Sequence, residues 1–257
     1  MCLVVFAWDT HADYRLILAA NRDEFHARPS RALDWWPDHA GVLAGRDLQA
    51  GGSWLAVHRD GRFATVTNYR EQARRLPRLL SRGELVANFV AGEENPASYV
   101  GNIAGERYAG FSLLAGDGEE LWYVSNRGDG PQRLEPGVYG LSNAVLDSPW
   151  PKLVRARDGL RSLLAGGEPG ETALMQLMAD RTPAPVADVD PGELPFAAAR
   201  ALTAPFIVSA DYGTRCTTTL SWRRDGRVSL CERRFDAAGR DTGETRIGFS
   251  TGDQGRE

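Results

Sequence analysis

The residue with the clearest chemical potential is the cysteine that directly follows the initiator methionine. Removal of Met1, which a small second residue permits, would leave Cys2 with both a thiol and a free α-amine. The amine titrates near ~7.7–8.0 and the thiol near ~8.5, so a neutral amine can accept the thiol proton and later return it to a leaving group. This pairing predicts hydrolysis by an N-terminal nucleophile. The alternative is a small apolar residue in a buried strand.

The first two predicted strands decide what lies beside this cysteine. Residues 2–9 and 14–21 are apolar on both faces and are joined by a short polar turn, which predicts a covered hairpin. In the simplest register Cys2 lies opposite Asn21, about 5 Å away. A shift of one residue would bring a direct neighbour of Asn21 to that position instead.

Four consecutive polar residues occupy the end of the second predicted strand. They are Asn21, Arg22, Asp23 and Glu24. An arginine lowers the pKa of a nearby thiol, an aspartate can orient an α-amine, and an asparagine amide can donate to a developing oxyanion. The alternative interpretation is a solvated strand end held by salt bridges.

Three further polar residues stand where later predicted strands begin or end. Asn68 ends the strand predicted over residues 62–68, and Asn143 follows the short run 139–142. Either asparagine could donate to an oxyanion, and either could be an ordinary turn residue. Arg215 opens a later strand and could bind a substrate carboxylate, or it could be an ordinary strand-end charge.

The remaining pattern is one of hairpins interrupted by helices. Asp-Gly turns predict hairpins at Asp60-Gly61, Asp117-Gly118 and Asp225-Gly226. Helices are predicted over residues 81–91, 96–104, 151–165 and 171–179, and a last strand over 244–249. Residues 182–204 are predicted to be a long connection or a small helical excursion. About ten antiparallel strands with two groups of helices favour an α+β fold of two stacked sheets between helices.

Composition limits the class of protein. The 257 residues are 42% hydrophobic, which predicts one globular domain over residues 1–250 with a disordered polar tail at 251–257. A net charge of −4 argues against a general nucleic-acid binder, and the longest apolar runs are too short for a membrane span. Three cysteines fit a reducing compartment, hence a cytoplasmic location, and the four scattered histidines predict no metal site. The oligomeric state stays open.

Several of these motifs together resemble the NRDE-motif family, which includes the transport-and-Golgi-organisation proteins of animals. The matches occur in the family's order along nearly the whole chain. They are Met1-Cys2, residues 20–25, Arg28-Pro29, residues 51–55, 67–70, 81–86 and 139–143, Pro149-Trp150, and residues 212–215 and 244–246.

The resemblance carries expectations about fold and chemistry. The family is related to the N-terminal-nucleophile hydrolases, which implies a four-layer αββα sandwich. By similarity Cys2 is the nucleophile, Arg22 and Asp23 support it, and Asn143 helps to form the oxyanion hole. The residues expected to line the same pocket are Asn21, Asn68 and Arg215.

The function expected from the residues and the resemblance together is hydrolysis of an amide or thioester bond in a small acyl metabolite, without a cofactor. Some relatives are associated with haem handling or acyl-lipid metabolism. The alternative function is therefore a non-catalytic binder or carrier of haem or of an acyl metabolite on the same scaffold.

Overall fold

The structure is a computed structural model that describes residues 2–71 and 79–252, so most of the predicted tail (253–257) lies outside the described residues. Thirteen strands are present in these ranges. They are β1 (Cys2–Trp8), β2 (Tyr14–Phe25), β3 (Ser30–Trp35), β4 (Val42–Asp47), β5 (Leu55–His58), β6 (Phe63–Asn68), β7 (Phe111–Gly116), β8 (Leu121–Ser125), β9 (Gln132–Arg133), β10 (Gly137–Leu141), β11 (Tyr212–Arg223), β12 (Arg227–Phe235) and β13 (Asp241–Ser250).

The strands form two antiparallel sheets. The first has six strands in the order β10-β1-β2-β11-β12-β13, and the second has seven in chain order from β3 to β9. The second sheet is a simple meander. The first pairs β2, near the start of the chain, with β11, one of the last three strands. The strand that begins at Cys2 therefore lies inside a sheet, with a neighbour on each side.

Five helices cover the outer faces. They are α1 (Arg82–Ala91), α2 (Pro96–Gly101), α3 (Pro151–Ala165), α4 (Glu171–Met178) and α5 (Phe196–Ala201). The predicted helix over 151–165 is confirmed at both ends, and the predicted cap of the first helix is confirmed because the Ser81 side chain accepts from the Gly83 N–H. Residues 182–204 are a small helical excursion that contains α5. None of the helices in the described ranges is long and apolar enough to cross a membrane.

Alternating apolar residues create the layers. Along β1, Val4 and Phe6 face the core between the two sheets, whereas Leu3 and Val5 pack beneath α3 and α4. A separate cluster joins the outer face of the second sheet to α1 and α2. The result is an α+β fold with helix, sheet, sheet and helix in four layers, which confirms the predicted fold class.

The register of the first hairpin differs from the simplest prediction by one residue. Cys2 pairs with Arg22 and not with Asn21. The cause is the turn, where Asp9 adopts a φ of 52° and its N–H donates to the Arg15 carbonyl at 2.8 Å. The side chains of directly opposite residues share a face, so Cys2 and Arg22 both point towards the second sheet.

The second strand is also longer than predicted. It continues to Phe25 because β11 pairs with it along its whole length, from Tyr212 onward. The four polar residues from Asn21 to Glu24 therefore lie within a central strand and not beyond its end. A β-bulge in β11, between Thr214 and Cys216, interrupts the pairing beside them.

A close backbone contact fixes α1 against the second sheet. A Cβ atom added to Gly52 would lie 2.4 Å from the carbonyl carbon of Gly83, and the Ser53 N–H donates to the Gly83 carbonyl at 3.2 Å. No side chain fits between these two segments. The contact sets where the first turn of α1 lies relative to the start of β5.

We expect Gly52→Ala to lower the free energy of unfolding by about 1–3 kcal/mol, because backbone on both sides must move to admit a methyl group. Gly101→Ala is the matched control, since a Cβ there meets no atom within 4 Å. The control should be neutral or stabilise by up to about 1 kcal/mol. Urea denaturation of the three proteins measures both effects, and equal stabilities would refute the proposed close contact.

Candidate active site

A cavity of about 350 Å³ opens where β1 begins and β2 runs towards its end. Cys2, Arg22 and Asp23 line it from the first sheet, and Asn68 lines it from the second. The first turn of α1 closes one side. Four residues that sequence analysis placed in a site thus meet at one cavity, although they lie up to 66 positions apart along the chain.

Cys2 is half-buried at the start of β1. Burial raises the pKa of the Cys2 thiol, and the Asp23 carboxylate adds to this effect. The backbone N–H of Asp23 and the Arg22 guanidinium act in the opposite direction and lower the pKa. The net result is a thiol that stays protonated at neutral pH and needs a base to become a nucleophile.

Arg22 is held rigidly on the same face of the sheet as Cys2. Its guanidinium carbon lies 4.2 Å from the centre of the Trp54 ring, and its Nη2 is 3.9 Å from an Asp47 carboxylate oxygen. A longer hydrogen bond of 3.4 Å reaches the Ser30 hydroxyl. With only 5% of the residue exposed, Arg22 provides a fixed positive charge next to the thiol.

Asp23 is buried at the junction of β2, β11 and α3. It is 1% exposed, and its Oδ1 accepts a hydrogen bond of 2.7 Å from the Thr214 hydroxyl. Burial raises the pKa of the Asp23 carboxyl, and the nearby Lys152 ammonium opposes that shift. The carboxylate thus sits between the thiol on one side and a buried lysine on the other.

Lys152 is a residue that sequence analysis did not place in the site. It is the second residue of α3 and is 5% exposed, and its Nζ has no hydrogen-bond acceptor among the residues that the structure describes. Burial lowers the pKa of the Lys152 ammonium, whereas Asp23 and Cys2 raise it. The available signal was that Lys152 is the only lysine in the chain.

The two asparagines occupy connected positions. The Asn143 side-chain amide donates to the Asn68 carbonyl oxygen at 3.0 Å, and its own oxygen accepts from the Ser142 hydroxyl. Asn143 has a φ of 54° and is 3% exposed, so its side chain is fixed behind the cavity wall. Asn68 lines the cavity with Cys2, and no described residue makes a hydrogen bond to its side-chain amide.

Two predicted pocket residues lie elsewhere. The Asn21 side chain faces the helical layer, where its amide donates to the carbonyl oxygens of Met178 and Pro205 at 2.8 and 2.9 Å. Arg215 lies at the β-bulge and donates to three carbonyl oxygens of the turn after β2. Neither is among the described residues that line the cavity, although Asn21 lines a small cleft that Cys2 also lines. Both tie β2 to its surroundings.

The architecture has a solved counterpart. The structure of penicillin V acylase from Agrobacterium tumefaciens aligns over 98% of this chain and 87% of that protein, with a TM-score of 0.53 and 9% sequence identity. At this identity the likeness concerns the fold. Two antiparallel sheets between helical layers are what the chain shares with this acylase, and this is the fold of the N-terminal-nucleophile hydrolases.

Sequence relatives define the family more narrowly. The profile of the Transport and Golgi organisation 2 family (TANGO2) matches residues 1–237, and the chain belongs to this family. It is 37% identical over 266 aligned residues to the Transport and Golgi organization protein 2 homolog of Bos taurus, with 91% of this chain and 92% of the bovine protein covered. The Homo sapiens homolog is 34% identical over 261 residues, with the same coverage.

We expect the stability of Lys152→Met relative to the wild type to fall as the pH rises from 7 to 9.5. Burial lowers the pKa of the Lys152 ammonium, so the unfolded wild-type chain binds a proton that the folded chain holds weakly. The free energy of unfolding of the wild type should therefore rise as the lysine deprotonates, whereas the variant has no such group.

Urea denaturation of both proteins at pH 7 and at pH 9.5 measures this difference. Arg161→Met, on the exposed side of the same helix, is the control and should show no such pH dependence relative to the wild type. A difference in stability between Lys152→Met and the wild type that is the same at both pH values would contradict the weakened protonation of a buried lysine.

Proposed function

We propose that this protein is an N-terminal-nucleophile hydrolase that cleaves an amide or thioester bond of a small acyl compound. The observation that carries the proposal is that the Cys2 thiol shares one cavity with Arg22, Asp23 and Asn68. These side chains supply a nucleophile, a fixed cation, a carboxylate and an amide donor. Removal of Met1 would add the missing base, the α-amine of Cys2.

The first chemical step is acyl transfer to sulfur. The α-amine accepts the thiol proton, and the thiolate attacks the carbonyl carbon to form a tetrahedral intermediate. The intermediate collapses with cleavage of the C–N or C–S bond, and the ammonium returns the proton to the leaving amine or thiolate. The acyl group is then held as a thioester on Cys2.

The second step releases the acyl group. A water molecule gives a proton to the α-amine and attacks the thioester carbonyl. Collapse of this intermediate breaks the carbon–sulfur bond, forms the free acid and restores the thiol with the proton that the amine held. The same amine thus acts as base and acid in both halves of the reaction, and no cofactor takes part.

Asp23 and Lys152 support the proposed base, which is the α-amine of Cys2. The Asp23 carboxylate lies next to Cys2 and can accept a hydrogen bond from its α-amine once Met1 is gone. Lys152 favours the ionised form of Asp23, because its ammonium lowers the pKa of that carboxyl against the effect of burial. Lys152 is therefore a positioning residue, whereas Asp23 contacts the reacting amine.

Asn68 is the better placed oxyanion donor. Asn68 lines the cavity, whereas the side-chain amide of Asn143 donates to the Asn68 carbonyl oxygen at 3.0 Å. We therefore assign the direct contact with the oxyanion to Asn68 and a supporting contact to Asn143. A preorganised donor of this kind stabilises the charge that develops only in the transition state.

The cavity also has an apolar wall suited to an acyl chain. It is formed by Trp54, Val66, Leu79 and Leu80. This wall is equally compatible with a carrier of an acyl metabolite, which is the alternative function. For haem, Cys2 is the only lining residue among those described that is an ordinary axial ligand, so bound haem would occupy the nucleophile itself.

We expect processed wild-type protein to hydrolyse members of a panel of N-acyl amides and acyl thioesters, and Cys2→Ala to reduce turnover to background. Asn68→Ala should lower kcat by about 10²–10³-fold, because one oxyanion donor is lost. Cys231→Ser, which removes a buried thiol on β12, is the control and should retain activity.

The carrier alternative makes a different prediction. A carrier would bind an acyl ligand without turnover and would keep its affinity in Cys2→Ala. Turnover that persists at the wild-type rate in Cys2→Ala would exclude Cys2 as the nucleophile.

A further inference from the structure

We propose that Arg82 binds an anionic group, a carboxylate or a phosphate, of the substrate. This inference rests on the proposed function, since it names the class of compound that the cavity selects. Arg82 is the first residue of α1 and lines the same cavity as Cys2. The evidence is that its guanidinium makes one hydrogen bond and forms no ion pair with the described residues.

The guanidinium of Arg82 makes few contacts with the described residues. Its Nη1 donates one hydrogen bond, of 3.2 Å, to the carbonyl oxygen of Gly110. No carboxylate within the described ranges lies within 4.0 Å of it, and residues 72–78, outside those ranges, contain no aspartate or glutamate. Among the described residues Gly110 is the one acceptor of this guanidinium, whose five N–H donors can serve a ligand.

The other two arginines of the cavity are already paired. Arg28 contacts Asp47 at 2.7 Å and Glu24 at 3.8 Å. Arg22 shares Asp47 and is stacked on an indole ring. Asp47 and Glu24 therefore pair with Arg22 and Arg28. Of the three arginines that line the cavity, Arg82 alone forms no ion pair with a described residue.

The surroundings of Arg82 favour an anion. Burial lowers the pKa of the Arg82 guanidinium, while Cys2 and Glu24 raise it. The group nevertheless stays charged, because arginine does not lose its proton in proteins. A bound carboxylate or phosphate would offset the cost of keeping this charge away from water, and a planar guanidinium can bind either group with two parallel hydrogen bonds.

Arg82 and Cys2 line the same cavity, whose apolar residues are Trp54, Val66, Leu79 and Leu80. A compound whose scissile bond lies at Cys2 can therefore place an anionic group at Arg82.

Binding by the catalytically inert Cys2→Ala protein tests the inference directly. Isothermal titration calorimetry would compare N-hexanoylglycine with N-hexanoylglycinamide, and the phosphate ester of N-hexanoylethanolamine with N-hexanoylethanolamine. Each pair differs in the anionic group and shares the acyl chain. We expect the anionic member of at least one pair to bind about tenfold more tightly or better.

Variants of Arg82 identify the group responsible. In the same Cys2→Ala background, Arg82→Gln should remove the preference for the anion and leave affinity for the neutral probes unchanged. Arg82→Lys should retain part of the preference, since it keeps the charge but loses the planar fork. Arg107→Gln, an exposed arginine outside the described lining, is the control and should leave all affinities unchanged.

Three results would overturn the inference. They are equal affinities within both pairs, an equal loss for charged and neutral probes in Arg82→Gln, and no binding of any probe at millimolar concentration. Selective binding that depends on Arg82, together with an inert wild-type protein, would instead reject the hydrolase and keep the anion site. The pair that shows the preference distinguishes a carboxylate ligand from a phosphate ligand.

Discussion

The pairing of the first two strands is the constraint on which the rest of the site depends. Because β1 and β2 align Cys2 with Arg22, the thiol and the guanidinium share the face of the sheet that looks into the cavity. A slip of one residue would place Asn21 opposite the thiol and turn Arg22 towards the helical layer. The register is fixed at both ends, by the tight turn at Asp9 and by the full-length pairing of β2 with β11.

Around this pairing the fold buries more charge than its stability requires. Arg22, Asp23 and Lys152 are each at most 5% exposed, and the lysine has no hydrogen-bond acceptor among the described residues. Burying charge without full compensation costs free energy, so a core selected for stability alone would replace these groups by apolar ones. Their presence beside one thiol is typical of a site where protonation states are tuned for a task. The apolar clusters between the four layers stabilise the fold enough to offset the cost of this buried charge.

The sequence predicted the local elements better than the contacts between them. Asp-Gly turns marked three hairpins, and the apolar spacing of residues 151–165 gave both ends of α3. Strands β3 and β4 were missed, since β3 carries charged residues and an irregular pairing between Arg31 and Asp34. Lys152 was missed for a different reason: its burial beneath the first sheet is a tertiary property. The local sequence likewise does not show that the Arg215 guanidinium donates to the turn after β2. Those carbonyl oxygens lie almost 190 positions earlier in the chain.

The central claim is that Cys2, after removal of Met1, accepts the acyl group of the substrate. Trypsin would release the segment that ends at Arg15, and mass spectrometry of that peptide after brief mixing with a hexanoyl thioester reads whether Met1 is absent and whether Cys2 is acylated. The account predicts a peptide that starts at Cys2 and bears one hexanoyl group, whereas a chain extended by residues before Met1 stays unmodified. A peptide that still begins with Met1, or one that remains unacylated while the thioester is consumed, would contradict it.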